Sequence, residues 1–73
     1  MNWDQIQGNW KQMTGQVKEK WGKLTDDDLT MIAGKRDQLA GILQQRYGYA
    51  KEVVEKELNL FMEDLKHQER VQE

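Results

Sequence analysis

The sequence predicts an all-α protein, a small bundle of three to four helices built from a duplicated, glycine-containing helical repeat. Three observations lead to this prediction. The chain contains no proline, its apolar residues recur at steps of three or four, and its six glycines form two triplets with heptad spacing. The triplets are Gly8, Gly15 and Gly22, followed 26 residues later by Gly34, Gly41 and Gly48. Such self-similarity indicates one helical unit used twice.

The first repeat is expected over about residues 3–24. Asn2 and Gln5 have the spacing of a capping box, which predicts a helix start. An apolar stripe then follows on one side of the helix, formed by Trp3, Ile6, Trp10, Met13, Val17, Trp21 and Leu24. The glycines lie nearly opposite this stripe, and each interior glycine costs about 0.5–1 kcal/mol relative to alanine. We therefore expect a break near Gly15 and a left-handed Gly22 at the end of the unit.

The second repeat is expected over about residues 26–48, and a split at Gly41 is left open. Thr25 precedes three aspartates at 26–28, a pattern that predicts an N-cap and a favourable helix N-terminus. Gly48 is expected to end this helix. A final amphipathic helix is predicted over about 50–66, which gives a single domain at 1–66 and a flexible tail at 67–73.

Length and composition restrict the classes of protein. With 73 residues, 33% of them charged, and a mean hydropathy of -0.99, the chain makes one hydrophilic domain of marginal stability. It has no cysteine, which excludes a disulfide framework. No apolar run is long enough for a membrane span and no secretory signal is recognisable, so we expect a cytoplasmic protein.

Charge is distributed unevenly along the chain, within a net charge of -2. Residues 1–24 carry four lysines and two acidic residues, a local charge of +2, whereas seven acidic and four basic residues from 49 onward give -3. There is no basic stripe of the kind that binds phosphate backbones, so a nucleic-acid partner is not favoured.

Residues able to support catalysis are scarce in this sequence. There is no serine or cysteine and one histidine, so the sequence predicts no enzyme, no catalytic residue and no cofactor site. Glu63, Asp64 and His67 share a helix face, but three such side chains without a second copy do not make a di-iron site. The aspartates at 26–28 lack the alternating ligands of an EF-hand, so we predict no metal site.

Aromatic residues are the most suggestive binding feature. Trp3, Trp10 and Trp21 alternate with lysines, as in helices that lie on anionic membranes or stack on bases. Packing in a small core is the simpler interpretation, especially for Trp10 and Trp21. The candidate structural or interaction residues are these three tryptophans, the six glycines, Tyr47 and Tyr49.

The stretch from Asp28 to Tyr49, with Gly8, Gly15 and the Trp21–Gly22 pair of the first repeat, resembles the CsbD-like family of small bacterial stress proteins. Ala50 departs from the small hydroxyl residue that relatives often carry there. The resemblance implies a small helical bundle, with two crossed helical hairpins as one arrangement, and it supplies no catalytic residues. The hydrophilic, glycine-bearing composition also resembles the hydrophilins, which are proposed to protect other proteins during water loss.

These observations favour a non-enzymatic bacterial stress-response protein that protects macromolecules under water or osmotic stress, with weak contacts to partners that the sequence does not identify. One alternative is a small helical protein–protein interaction module that uses its glycine faces. A second alternative is binding to nucleic acid or a membrane surface through the lysine-bearing first repeat.

Overall fold

The computed structural model describes residues 2–71 of the chain, with side chains described as far as His67. This part contains helices and no strand, so the all-α prediction is confirmed. There are five helices rather than three to four, because each predicted repeat breaks into a short helix and a longer one. The helices are α1 (Trp3–Gly8), α2 (Trp10–Lys20), α3 (Asp26–Ile32), α4 (Arg36–Tyr47) and α5 (Lys51–Val71).

The predicted break near Gly15 is wrong, since α2 continues through that residue, and α4 likewise continues through Gly41. The first break lies at Asn9, whose backbone N–H and side-chain amide both donate to Gln5 O at 3.0 Å. The second lies at Ala33 and Gly34, both in the left-handed region with φ of 50° and 80°. One interior glycine costs a helix only about 1 kcal/mol, which the continuous hydrogen-bond ladder and packing of α2 and α4 outweigh.

The predicted helix starts are confirmed, and one of the two predicted ends is wrong. Capping boxes form at Asn2 and at Thr25, and Gly48 ends α4 with φ of 68°. Gly22 is not left-handed, because α2 already ends at Lys20. Trp21 leaves the helical conformation so that its ring enters the core, while its N–H still donates to Val17 O at 2.9 Å.

The last helix extends further than the sequence predicts. α5 runs from Lys51 to Val71, whereas the prediction placed its end near 66 and a tail at 67–73. No glycine or proline follows Leu65 to stop the helix, and so its backbone hydrogen bonds continue. Residues 72 and 73 of the predicted tail lie outside the described residues, and the flexibility of the tail stays a prediction.

One apolar core joins all five helices. Trp21 of the α2–α3 connection packs against Phe61 of α5, with ring centroids 5.2 Å apart. At the other end, α1 approaches the α3–α4 turn so closely that a Cβ added to Gly34 would lie 2.6 Å from the Cα of Gln7. The buried apolar residues are Ile6, Met13, Val17, Trp21, Leu24, Leu29, Ile32, Leu39, Ile42, Leu43, Val54, Leu58, Phe61 and Leu65.

Candidate functional site

Asp28 is the one buried charged side chain in the part of the chain whose side chains are described. It belongs to the capping box of α3, where its carboxylate accepts from the N–H of Thr25 at 3.0 Å. Arg46, in the last turn of α4, donates to both oxygens, with Nη2–Oδ1 at 2.8 Å and Nε–Oδ2 at 3.0 Å. This bidentate ion pair fixes the start of α3 against the end of α4.

The ion pair also sets the acid–base properties of both groups. The hydrogen bond from Arg46, followed by the backbone hydrogen bond from Thr25, lowers the pKa of Asp28 to about 2, and Asp28 raises the pKa of Arg46. A carboxylate that stays ionised and fully paired at neutral pH is poorly suited to general acid–base work. We therefore interpret the pair as structural.

Sequence reasoning assigned Asp28 to capping and missed this pairing. One signal was available, because Asp28 stands four residues before the buried Ile32 and so lies on the core side of α3. The choice of Arg46 as its partner depends on the angle between α3 and α4, which the sequence pattern does not give.

The three tryptophans occupy different environments. Trp21 is 1% exposed, and its indole Nε1 has no hydrogen-bond partner. Trp10 is half-buried and donates from Nε1 to Leu29 O at 2.8 Å, which ties α2 to α3. Trp3 is half-buried against the core at the start of α1. All three contribute to packing, and an additional binding role for them stays a prediction.

Tyr47 and Tyr49 stack on each other with ring centroids 5.0 Å apart. The Tyr47 hydroxyl accepts a hydrogen bond from the Lys23 N–H at 3.2 Å, and the Lys23 ammonium lies 5.1 Å from the Tyr47 ring centroid. The two tyrosines thus hold the end of α4 against the connection between α2 and α3.

The six glycines differ in how closely other atoms approach them. An added Cβ would meet nothing within 4 Å at Gly8, Gly15, Gly22, Gly41 or Gly48, although Gly48 has a positive φ. Gly34 alone among the six is buried against another segment. Gly34 therefore serves the fold and offers no free glycine face to a partner helix.

The remaining surface features are shallow grooves. The one between α2 and α3 has a volume of about 380 Å³ and includes Trp10, Lys11 and Thr30 in its lining. Among the described residues, no three metal-ligating side chains come together, so the sets at 26–28 and at 63, 64 and 67 form no cluster. Within that same part, every helix is either too short or too polar to cross a bilayer.

Comparison with known proteins places these features in a family. The sequence profile of the CsbD-like family matches residues 4–56. A UPF0337 protein of Pectobacterium atrosepticum is 69% identical over 58 residues, which cover 80% of this chain and 84% of that protein. The UPF0337 protein YjbJ of Escherichia coli K12 is 66% identical over 58 residues, again 80% and 84% of the two chains.

A third relative matches over nearly the whole of this chain. A UPF0337 protein of Rhodopseudomonas palustris is 61% identical over 66 residues, covering 90% of this chain and all of that protein. The segment that the family profile matches spans both glycine triplets, Asp28 and Arg46, and the two stacked tyrosines of this chain. This chain belongs to the CsbD-like family.

Proposed function

We propose that this chain is a non-enzymatic, cytoplasmic stress-response protein that protects other macromolecules when water is scarce. The observation that carries the proposal is the separation of apolar side chains in the core from charged side chains on the surface. Apolar residues fill one core, and among the described large apolar side chains only Met31, Val53 and Leu60 are more than one-third exposed. A hydrated, charged surface of this kind favours weak, distributed contacts over a single ligand site.

The case against catalysis rests on the chemistry of the described groups. Among the described residues, the one strongly perturbed acid is Asp28, and its carboxylate already accepts hydrogen bonds from Arg46 and Thr25. No serine or cysteine is present anywhere in the sequence to act as a nucleophile. We therefore place the function at the surface rather than in a pocket.

The duplicated repeat is part of the same proposal, and two matched contacts support it. The first residue of α2, Trp10, donates to Leu29 of α3, and the first residue of α4, Arg36, pairs with Glu55 of α5. Both contacts join residues 19 positions apart, and the second is displaced from the first by 26 residues. Each contact thus joins the first residue of a longer helix to the equivalent position on the next helix, as expected of stacked repeats. An arrangement as two crossed hairpins stays a prediction.

The protective function is tested by drying a labile enzyme with this protein and measuring the activity recovered on rehydration. We expect greater recovery than with an equal mass of an inert globular protein of similar charge. A control variant with Gly15→Ala and Gly41→Ala keeps the charged surface and stiffens the helices, so equal protection by it would assign the effect to the surface. Recovery no better than with the inert protein would refute the proposal.

A helical interaction module is the second candidate, because the outer face of α2 around Gly15 is uncovered. A bulky residue at that position should block a partner helix while leaving the fold intact. Gly34 is unsuitable for this test, since it packs against Gln7 within the molecule. Pull-down with Gly15→Leu and the parent protein distinguishes this candidate, and equal capture by both would exclude it.

A further inference from the structure

One side of α5 carries a stripe of residues that do not pack in the core. Val53 and Leu60 are 42% and 45% exposed. At 3.6 residues per turn they share one side of the helix with Glu57 and Asp64, about a third of a turn from the buried Leu58. We call Val53, Glu57, Leu60 and Asp64 the α5 stripe. Its two apolar residues are seven positions apart, and so are its two acidic residues.

The outer side of α1 and α2 carries a stripe of opposite charge. Lys11, Gly15 and Lys18 lie on one side of α2, roughly opposite the buried Val17, and Gly8 is the last residue of α1, directly before the break at Asn9. We call these four residues the α2 stripe. Its glycines are seven positions apart, and so are its lysines. All four residues are exposed, and the two glycines have open space above them.

The two stripes match in chemistry and in spacing. With two helices side by side in parallel, Val53 and Leu60 would lie over the two glycines of the α2 stripe. Glu57 and Asp64 would then lie beside Lys11 and Lys18. Within α2, the seven-residue spacing of the two lysines matches that of the two acidic residues over two turns. Glycine leaves room for the apolar side chains to approach the α2 backbone.

Lys18 already has a partner within the molecule, because its Nζ lies 2.9 Å from the Asp26 carboxylate. The two side chains are 48% and 87% exposed, and such surface pairs contribute little. If Lys18 paired with a carboxylate of another molecule in place of Asp26, the loss of the internal pair would therefore cost little free energy.

The stripes cannot pair within one molecule. Trp21, directly after α2, and Phe61 of α5 pack together through the core side of both segments, whereas the α2 stripe faces solvent. We propose that the chain self-associates head to tail, with the α5 stripe of one copy on the α2 stripe of the next. The local charges of +2 in residues 1–24 and -3 from residue 49 favour the same orientation. Such a contact joins two different surfaces, so it can extend into short open chains.

Sedimentation velocity over a range of protein concentrations tests the proposal. At low salt we expect the weight-average mass to rise above the 8.7 kDa of one chain as concentration increases. About 0.5 M salt should move the association to at least about tenfold higher concentration, because Lys11, Lys18 and Asp64 are exposed. A mass of one chain under all these conditions would overturn the proposal.

A charge exchange identifies the contacting surfaces. The double variants Lys11→Glu with Lys18→Glu, and Glu57→Lys with Asp64→Lys, should each be monomeric because like charges meet. An equimolar mixture should associate again, since each variant supplies a stripe complementary to the other. Symmetric pairing of two α5 stripes would instead leave the first variant associated, and that result would overturn the head-to-tail arrangement. Circular dichroism confirms that each variant is folded.

Leucine substitutions at two equivalent glycines test whether the outer face of α2 is the contact surface. Gly15→Leu should abolish association, because its side chain fills the space above α2 where no atom of the molecule lies within 4 Å of an added Cβ. Gly41→Leu adds the same bulk at an equally open position on α4 and should leave association unchanged. Loss of association in both variants, or in neither, would contradict the proposed surface. The outcome is independent of the protective function, which the drying experiment measures separately.

Discussion

The two glycine-bearing halves of the chain both contain an interrupted helix, but the backbone is interrupted in different ways. In the first half the helix breaks at Asn9, and in the second the break falls at Ala33 and Gly34 in the left-handed region. The two breaks lie together in space, since Gly34 contacts Gln7 beside the first break. Equivalent positions in a repeat can therefore carry the same residue for different reasons. Gly8 is open to solvent, while its counterpart Gly34 is held in a tight backbone contact.

The largest effect is expected from Gly34→Ala. Its new Cβ would lie 2.6 Å from the Gln7 Cα, and φ of 80° adds a left-handed penalty of about 1–2 kcal/mol. Together with overpacking of about 1–3 kcal/mol, the loss approaches the total stability of so small a domain. Urea denaturation followed by circular dichroism should find the variant largely unfolded or with a much lower midpoint.

Gly8→Ala is the matched control, because it makes the same chemical change at the equivalent position. Nothing lies within 4 Å of its added Cβ, so its unfolding midpoint should equal or exceed that of the parent protein. If the two alanine variants unfold at the same urea concentration, the proposed difference between the two breaks is wrong.

The second effect concerns the ends of the two longer helices. Arg46 near the end of α4 pairs with the buried Asp28, whereas Lys20, its counterpart 26 residues earlier at the end of α2, lies over the Trp21 ring at 5.6 Å. Arg46→Met should be clearly destabilising, because it leaves a buried carboxylate without its cation. Lys20→Met should change the urea midpoint little, since no buried charge loses a partner. Equal loss of stability in both variants would contradict this account.

The same pair predicts a dependence on pH. The folded pKa of Asp28, about 2, lies below its ordinary value of 3.8, so the ionised form stabilises the folded state above about pH 4. This contribution should decline as pH falls from about 4 to about 2. Urea midpoints measured across this range should fall more steeply for the parent protein than for Asp28→Asn, which has no carboxylate to protonate. Parallel curves for the two proteins would exclude Asp28 as the source.

The sequence predicts those features that depend on neighbouring residues. Asn2 with Gln5 and Thr25 with Asp28 are local capping pairs, and both form. The break at Gly34 was missed because it depends on contact with Gln7, 27 positions earlier in the chain. The end of α2 was misplaced because burial of Trp21 against Phe61 decides it. Periodicity predicts which side of a helix is apolar, but not which distant segment will cover it.

The same limit applies to the candidate interaction residues. The tryptophans, tyrosines and glycines stand out in the sequence because of residue type and spacing. Their environments in the structure distinguish them. The Tyr47 hydroxyl accepts from Lys23 in the connection between α2 and α3, while Gly15 faces open space. The α5 stripe was not predicted, because the exposure of Val53 and Leu60 emerges only from the packing of α5.

The smallest effect is expected where the two halves are most alike. Gly15 and Gly41 occupy equivalent positions inside α2 and α4, and neither has an atom close to an added Cβ. Alanine at either position removes the cost of ordering a glycine in a helix, so each variant should gain about 0.5–1 kcal/mol in free energy of unfolding. The two gains should add, because the sites lie on separate helices. Urea denaturation of both single variants and the double variant measures this directly. At protein concentrations where copies associate head to tail, Gly15→Ala should gain less than Gly41→Ala, because the added Cβ lies on the contact surface of α2. Dilution should remove this difference, and a difference that persists in dilute protein would contradict the open space above Gly15.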